Sequence, residues 1–157
     1  MRRSEKLISN PEIIEQILKK SAVCRLAFST DGDPYIVPVN FGYENNRIYI
    51  HSAQKGRKIE MIAKNNRVCF EMEMEHEVVK HEIACRWTAR YMSVIGYGQV
   101  AVIHDKQQKI AGLDIIMTKY GGPEKNKYDD ASLESMVLLV IEIESLTAKQ
   151  SGHWDIG

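Results

Sequence analysis

The chain has 157 residues, a length that suits one domain with its own hydrophobic core. Its 21 basic and 21 acidic side chains cancel at neutral pH, which argues against a nucleic acid or a membrane surface as the partner. No apolar stretch has the pattern of a signal peptide or a membrane span, and Cys24, Cys69 and Cys85 lack CxxC spacing. We therefore expect a single cytoplasmic domain over residues 1–157, with reduced thiols.

An amphipathic helix is predicted at about residues 10–20. Asn10 has the side chain of a helix N-cap, and Pro11 suits the first helical position, where a backbone N–H has no partner within the helix. Isoleucine and leucine side chains at helical spacing then form one apolar face. The pattern is typical of a helix that packs against a core.

Six segments have the composition and alternation of β-strands. They are residues 23–29, 34–43, 47–50, 67–75, 90–103 and 136–146. Turn-forming residues join several of them as hairpins, so the pattern favours a small antiparallel barrel with peripheral helices over a doubly wound sheet. Residues 76–89 have no clear periodicity, and a C-terminal tail is expected at about 147–157.

Two features of the strands indicate irregular pairing. Pro38 has no N–H to donate, so the second strand is either interrupted there or lies at a sheet edge. The interruption would leave backbone groups near Asn40 free to meet something other than a strand. Gly96 and Gly98 lie on the same side of a later strand, which indicates a bend or the close approach of a ligand or another backbone.

Two further helices are predicted between strands. The first runs over Arg57–Lys64 and has a short apolar stripe. The second begins at Asp105, ends at Gly121-Gly122-Pro123, and is followed by a polar loop to about Ser135. Its apolar face is predicted to consist of Ile110, Leu113, Met117 and Tyr120.

The most informative stretch joins the third strand to the Arg57–Lys64 helix and reads His51-Ser52-Ala53-Gln54-Lys55-Gly56-Arg57-Lys58. A helix N-terminus already carries partial positive charge, so two cations in its first turn are normally unfavourable there. They become favourable if an anion, above all a phosphate, binds to the exposed N–H groups. The alternative is a solvated Arg-Lys pair on a surface turn, and this stretch alone does not choose between them.

Other kinds of site have weak support. Glu75, His76, His81 and Cys85 do not follow a recognised metal-ligand spacing, so we predict no metal site. Ser52 follows His51, but neighbours on a strand point to opposite faces, which argues against a nucleophile–base pair. Trp87 and Trp154 could each be a core residue, a dimer contact or a stacking plate for a planar ligand.

Four segments taken in order resemble a known family. They are PYIVPVNF at 34–41, IHSA through GRK at 50–58, NRVCF at 66–70, and YMSVIGYG at 91–98. The ordered set resembles the pyridoxamine 5′-phosphate oxidase-like FMN-binding split-barrel superfamily, and is most similar to its 5-nitroimidazole-resistance (Nim-type) flavoproteins. The likeness extends from about Arg2 to about Lys149.

The resemblance implies a six-stranded antiparallel Greek-key split β-barrel that forms a homodimer, with FMN in a cleft between the subunits. The family's phosphate-binding pair corresponds to Arg57 and Lys58. Its flavin-lining positions correspond to Val37, Pro38, Val39 and Asn40 on the second strand, and to His51, Ser52 and Ala53 at the end of the third strand. Trp154 is a further candidate that could close over the flavin. His51 is the candidate for a catalytic, substrate-facing role, and a structural histidine is the alternative.

The resemblance further implies an FMN-dependent oxidoreductase that reduces a small organic acceptor, as nitroimidazole reductases do, with electrons from a nicotinamide donor. Pyridoxamine phosphate oxidases hold their substrate phosphate with a C-terminal arginine-rich stretch, but no arginine follows Arg90 here. Oxidation of a phosphorylated vitamin is therefore not expected. The alternatives are a non-enzymatic flavin carrier or sensor, and a haem-binding relative with His153 or His51 as ligand.

Overall fold

A computed structural model of the chain describes residues 4–152, apart from the side chains of Ser4 and Glu75. The strands in that range are β1 Leu7–Ile8, β2 Cys24–Thr30, β3 Asp33–Val39, β4 Gly42–Glu44, β5 Arg47–Ala53, β6 Arg67–Val79, β7 Thr88–Ile103 and β8 Met136–Ser151. The α-helices are α1 Pro11–Lys20, α2 Arg57–Lys64, α3 Lys106–Lys119 and α4 Asp130–Ser135. Short 3₁₀ turns lie at Ser4–Lys6 and Ala84–Arg86.

The strands form one antiparallel sheet whose order is β3-β2-β6-β7-β8-β5-β4, with β1 added alongside β8. Several neighbours in the sheet are far apart in the chain, as in a Greek key. The six predicted strands correspond to the six longer strands found. The two others are β1, which was not predicted, and β4, which is the end of the predicted second strand. The antiparallel split-barrel fold is thus confirmed.

The barrel is split because its two edge strands are consecutive in the chain but do not pair with each other. β3 ends at Val39 and β4 begins at Gly42, yet they lie at opposite ends of the pairing order. Consecutive Cα atoms are about 3.8 Å apart, so the two intervening residues, Asn40 and Phe41, can connect the edges only if the sheet curls round on itself. Of the two alternatives for Pro38, the edge strand is correct, because β3 lies at the end of the pairing order and its pairing with β2 continues through Pro38 to Val39.

The core lies inside the curled sheet, where alternate side chains of each strand meet. Cys24, Leu26 and Phe28 of β2 are buried, and so are Val68, Phe70 and Met72 of β6. α1 contributes Ile17 and Leu18. This alternation agrees with the prediction, because a half-buried strand buries every second residue.

Gly96 and Gly98 are both buried, and neither makes room for a ligand. A Cβ on Gly96 would lie 2.2 Å from Cζ of Phe70. The Phe70 ring therefore fills the space that a side chain at position 96 would occupy. A Cβ on Gly98 would lie 2.3 Å from the Glu142 carbonyl oxygen, where the pairing of β7 with β8 is irregular. The predicted close approach is therefore correct, and the groups that approach are an aromatic ring and a backbone.

Some predicted boundaries were wrong. Residues 76–89 mostly continue the β6–β7 hairpin, which extends to the Val79–Thr88 pair. The expected C-terminal tail is a strand as far as Ser151, because β8 pairs there with the start of β7. The polar loop before residue 136 contains α4, capped by the Asp129 side chain.

The predicted buried face of α3 was also wrong. The helix buries Lys109, Gly112 and Ile116, whereas Met117 and Tyr120 are 41% and 46% exposed. Gly112 lets the helix approach the sheet, since a Cβ there would lie 2.3 Å from Cδ2 of Leu138. The buried Lys109 ammonium donates hydrogen bonds to the carbonyls of Leu133 and Met136.

Among residues 4–152, no helix combines the length and apolar composition needed to cross a membrane.

Candidate functional site

The candidate site lies at the split in the barrel. Gly42 pairs with Tyr49, so continuing this register by two residues places Asn40 opposite His51 on one edge. Val39 pairs with Cys24, so the next step on the other edge places Asn40 opposite Val23. A cavity of about 460 Å³ opens there, lined by Val23, Pro38, Val39, Asn40, His51 and Lys58.

The edge strand β3 turns alternate residues towards this cavity and towards the core. Tyr35, Val37 and Val39 are partly buried and pack against the core, whereas Pro38 and Asn40 are exposed. Val37 is not among the residues that line the cavity, and its predicted contact with the flavin stays a prediction. Pro38, Val39 and Asn40 do line it.

β5 has the same alternation on the opposite side of the split, beyond its last pair with the edge strand β4 at Tyr49. His51 and Ala53 are exposed, whereas Ser52 is buried and its hydroxyl donates to the carbonyl of Ala53 at 3.1 Å. This arrangement confirms that Ser52 and His51 do not form a direct pair. Of the three predicted residues of β5, only His51 lines the cavity.

α2 begins beside the cavity without a side-chain cap. Its N-cap is Gly56, whose φ of 116° is strained for any residue with a Cβ. Gly56 has no side chain to accept a hydrogen bond from the first-turn N–H groups. Those donors are therefore available to an anion, which is one of the two alternatives that the sequence left open.

The two predicted phosphate ligands, Arg57 and Lys58, face different cavities. Lys58 is half-buried at the split, and burial lowers the pKa of its ammonium group. The Arg57 guanidinium instead lies 2.7 Å from Oδ2 of Asp33 and 4.7 Å from the centroid of the Tyr35 ring. It lines a separate cavity of about 530 Å³ with Asp31, Glu60 and Lys64 among its neighbours.

The C-terminus of α3 holds the split together from behind, which the sequence did not indicate. The Tyr120 hydroxyl donates to the Ala22 carbonyl at 2.8 Å and accepts from the Phe41 N–H at 3.3 Å. The Lys119 ammonium donates to the Lys19 carbonyl at 2.6 Å and lies 4.1 Å from the centroid of the Phe41 ring. The Tyr-Gly-Gly sequence had suggested only a helix end.

Two predicted positions cannot be placed. Trp154, the candidate cover of the flavin, and His153, a candidate haem ligand, lie outside the described residues. Within the described part of the chain, no three His, Cys, Asp or Glu side chains are grouped as a metal site would require.

A larger groove, of about 610 Å³, lies between α3 and the outer face of the sheet. Its floor is mainly aliphatic, and it lacks the two unpaired edges and the uncapped helix start found at the split. We therefore place the candidate site at the smaller cavity.

Comparisons with known proteins agree with this fold. Residues 10–150 match the pyridoxamine 5′-phosphate oxidase family. The crystal structure of a candidate 5-nitroimidazole antibiotic resistance protein from Bacteroides thetaiotaomicron is 33% identical, with a TM-score of 0.82 over 92% of this chain and 86% of that one. No curated protein matches the chain.

Two more distant structures show the fold alone. The flavocytochrome Anf3 from Azotobacter vinelandii is 18% identical, with a TM-score of 0.84 over 98% of this chain and 72% of that one. The FAD and heme binding protein from Mycobacterium smegmatis is 20% identical, with a TM-score of 0.84 over 95% of this chain and 75% of that one. Because the family match covers residues 10–150 and the resistance protein is 33% identical over nearly the whole chain, this protein belongs to the pyridoxamine 5′-phosphate oxidase family.

Proposed function

We propose that the protein is an FMN-dependent oxidoreductase that binds its flavin at the split in the barrel. The observation that carries this proposal is the position of Lys58, a half-buried cation at the uncapped start of α2, facing a cavity between two unpaired strand edges. Family membership supports a flavin, and the phosphate of FMN suits the charge and the free N–H groups. The cavity volume of about 460 Å³ lies within the range of small-ligand sites.

Each side chain at the split would have a distinct task. Lys58 and the first-turn N–H groups of α2 would hold the phosphate. Asn40 has both a donor and an acceptor for the polar edge of the ring, and Pro38 offers an apolar surface. The bound flavin would supply the redox chemistry, while the protein fixes its orientation.

His51 is the candidate for proton transfer to a substrate. Its exposed imidazole lies opposite Asn40 across the split, where it could hold or move a proton. The acceptor we propose is a small organic molecule such as a nitroimidazole, reduced with electrons from a nicotinamide donor. Likeness to the resistance protein supports this acceptor class.

We also propose that the protein acts as a homodimer. The cavity is open on the side away from the barrel, so a second subunit would be needed to enclose a flavin. Apolar side chains on the outer face of the sheet could form that contact, since Ile36, Ile95 and Tyr97 are between 42% and 61% exposed. The cytoplasmic location expected from the cysteines stays a prediction.

An absorption spectrum of the purified protein tests the choice of cofactor. We expect flavin absorbance, and release of FMN on denaturation, as identified by chromatography. Release of FAD would contradict the FMN assignment, and a Soret band without flavin would support the haem-binding alternative. Flavin binding without oxidation of NADH or NADPH by nitroaromatic or quinone acceptors would favour a carrier or sensor.

Lys58→Met tests the position of the phosphate. Hydrogen bonds to charged groups are worth about 1.5–3 kcal/mol, so the Kd for FMN should rise about tenfold or more. Riboflavin, which lacks the phosphate, should bind both proteins equally, as measured by quenching of flavin fluorescence. Lys55→Met is the matched control, because it removes an exposed cation three residues away. Equal FMN affinities for the two variants would contradict the proposed site.

A further inference from the structure

Arg57 is held away from the split by two residues of the β2–β3 hairpin. Its Nη2 atom lies 2.7 Å from Oδ2 of Asp33, and both side chains are more than half exposed. Its guanidinium lies over the Tyr35 ring, which itself stacks on the buried Phe28 at a centroid distance of 6.0 Å. The Tyr35 ring beneath the guanidinium is therefore held in place by its packing against the core.

The position of Asp33 is fixed by the hairpin. Asp33 pairs with Thr30 at the hairpin end, and Asp31 and Gly32 form the tight turn with φ values of 54° and 81°. The hairpin is in turn attached to the end of α2, where the Asn65 amide donates to the Ser29 carbonyl at 3.0 Å. Any change of partner must therefore come from the flexible Arg57 side chain.

The two cations of the α2 start consequently differ in availability. The Lys58 ammonium faces the proposed phosphate site, whereas Arg57 already has a carboxylate partner. An exposed ion pair of this kind is weak, so a phosphate dianion at the helix start could take Arg57 from it.

We propose that Asp33 is a built-in competitor for the flavin phosphate, which must displace its carboxylate to recruit Arg57. This inference rests on the proposed function. It makes Asp33 a residue that sets the affinity for phosphorylated flavin, although it does not line the split. Asp33 thereby weakens the preference for FMN over riboflavin.

Asp33→Asn tests the inference, with Asp31→Asn as the matched control. Both remove one negative charge from the same hairpin, but Asp31 pairs with Lys64, at 3.6 Å, whereas Asp33 pairs with Arg57. Asparagine tolerates the left-handed backbone at position 31. Because an exposed ion pair is worth about 1 kcal/mol or less, Asp33→Asn should lower the Kd for FMN by about two- to fivefold relative to Asp31→Asn.

Two further measurements complete the test. Riboflavin affinity should be the same in both variants, because it has no phosphate to compete. In an Arg57→Met background, Asp33→Asn should give no gain over Asp31→Asn.

Weaker FMN binding by Asp33→Asn would overturn the inference, since it would mean that Asp33 orients Arg57 for the phosphate. A gain that persists without Arg57 would overturn it as well. Both results leave the proposed FMN site intact, whereas a wild-type protein that binds neither flavin would refute the proposed function itself.

Discussion

The Lys119 ammonium occupies a half-buried position between Phe41 and the end of α1. It donates to the Lys19 carbonyl, and burial lowers its pKa from 10.5 to about 8. Below about pH 8 the lysine is charged in both the folded and unfolded chain, so the cost of burying the charge is fully present. Above that pH the folded protein loses this proton first, and the unfolded state therefore binds more protons until about 10.5.

The stability of the wild-type protein should therefore rise, relative to Lys119→Met, as the pH increases from about 8 towards 10. Solvent screening at this half-exposed site will keep the gain small. Urea unfolding of both proteins at several pH values measures the difference in their free energies of unfolding. The contributions of groups that titrate in both proteins cancel in that difference. A difference that stays flat, or falls with pH, would contradict the burial of this charge.

At the scale of the elements, strands with one buried face were the most predictable. In β2 and β6 the apolar side chains recur at every second residue, so burial of one face is encoded locally. The β6–β7 extension lacked this contrast, because apolar Val78 and Trp87 are exposed there. Its structure comes from backbone pairing, which strand alternation does not reveal.

α3 could not be oriented from its sequence because apolar residues occur all round it. Its docking face is selected by Gly112, the residue that lets the backbone come closest to Leu138. Gly96 gave a correct signal of close approach, but the identity of the approaching group, the Phe70 ring, depends on a neighbouring strand.

At the candidate site too, features that belong to one segment could be predicted, whereas contacts between distant segments could not. The edge character of β3 at Pro38, and the free start of α2 at Gly56, could both be predicted because they follow from missing donors and missing caps. The ion pair of Arg57 with Asp33 could not, because its partners are 24 residues apart and meet only through the fold. Arg57 and Lys58 are neighbours in sequence, yet they face different cavities.

Viewed as a whole, the molecule closes its barrel with side chains at the point where backbone pairing stops. One hydroxyl, that of Tyr120, bonds to Ala22 beside one edge and to Phe41 on the crossover to the other. Val23 and Asn40, which line the proposed flavin cavity, are the chain neighbours of Ala22 and Phe41. The shape of the cavity should therefore depend on this hydroxyl.

Tyr120→Phe should lower the free energy of unfolding by about 1 kcal/mol, because net hydrogen-bond contributions are of that size. It should also raise the Kd for FMN and for riboflavin by the same few-fold factor, since the hydroxyl acts on the walls of the cavity and not on the phosphate. Tyr128→Phe is the control. It removes a hydroxyl that donates to Asp114 of α3 at 2.9 Å, away from the split. For Tyr128→Phe we expect a comparable loss of stability in urea unfolding, and a flavin affinity equal to that of the wild type. If the two variants bind both flavins equally well, Tyr120 holds the fold without shaping the site.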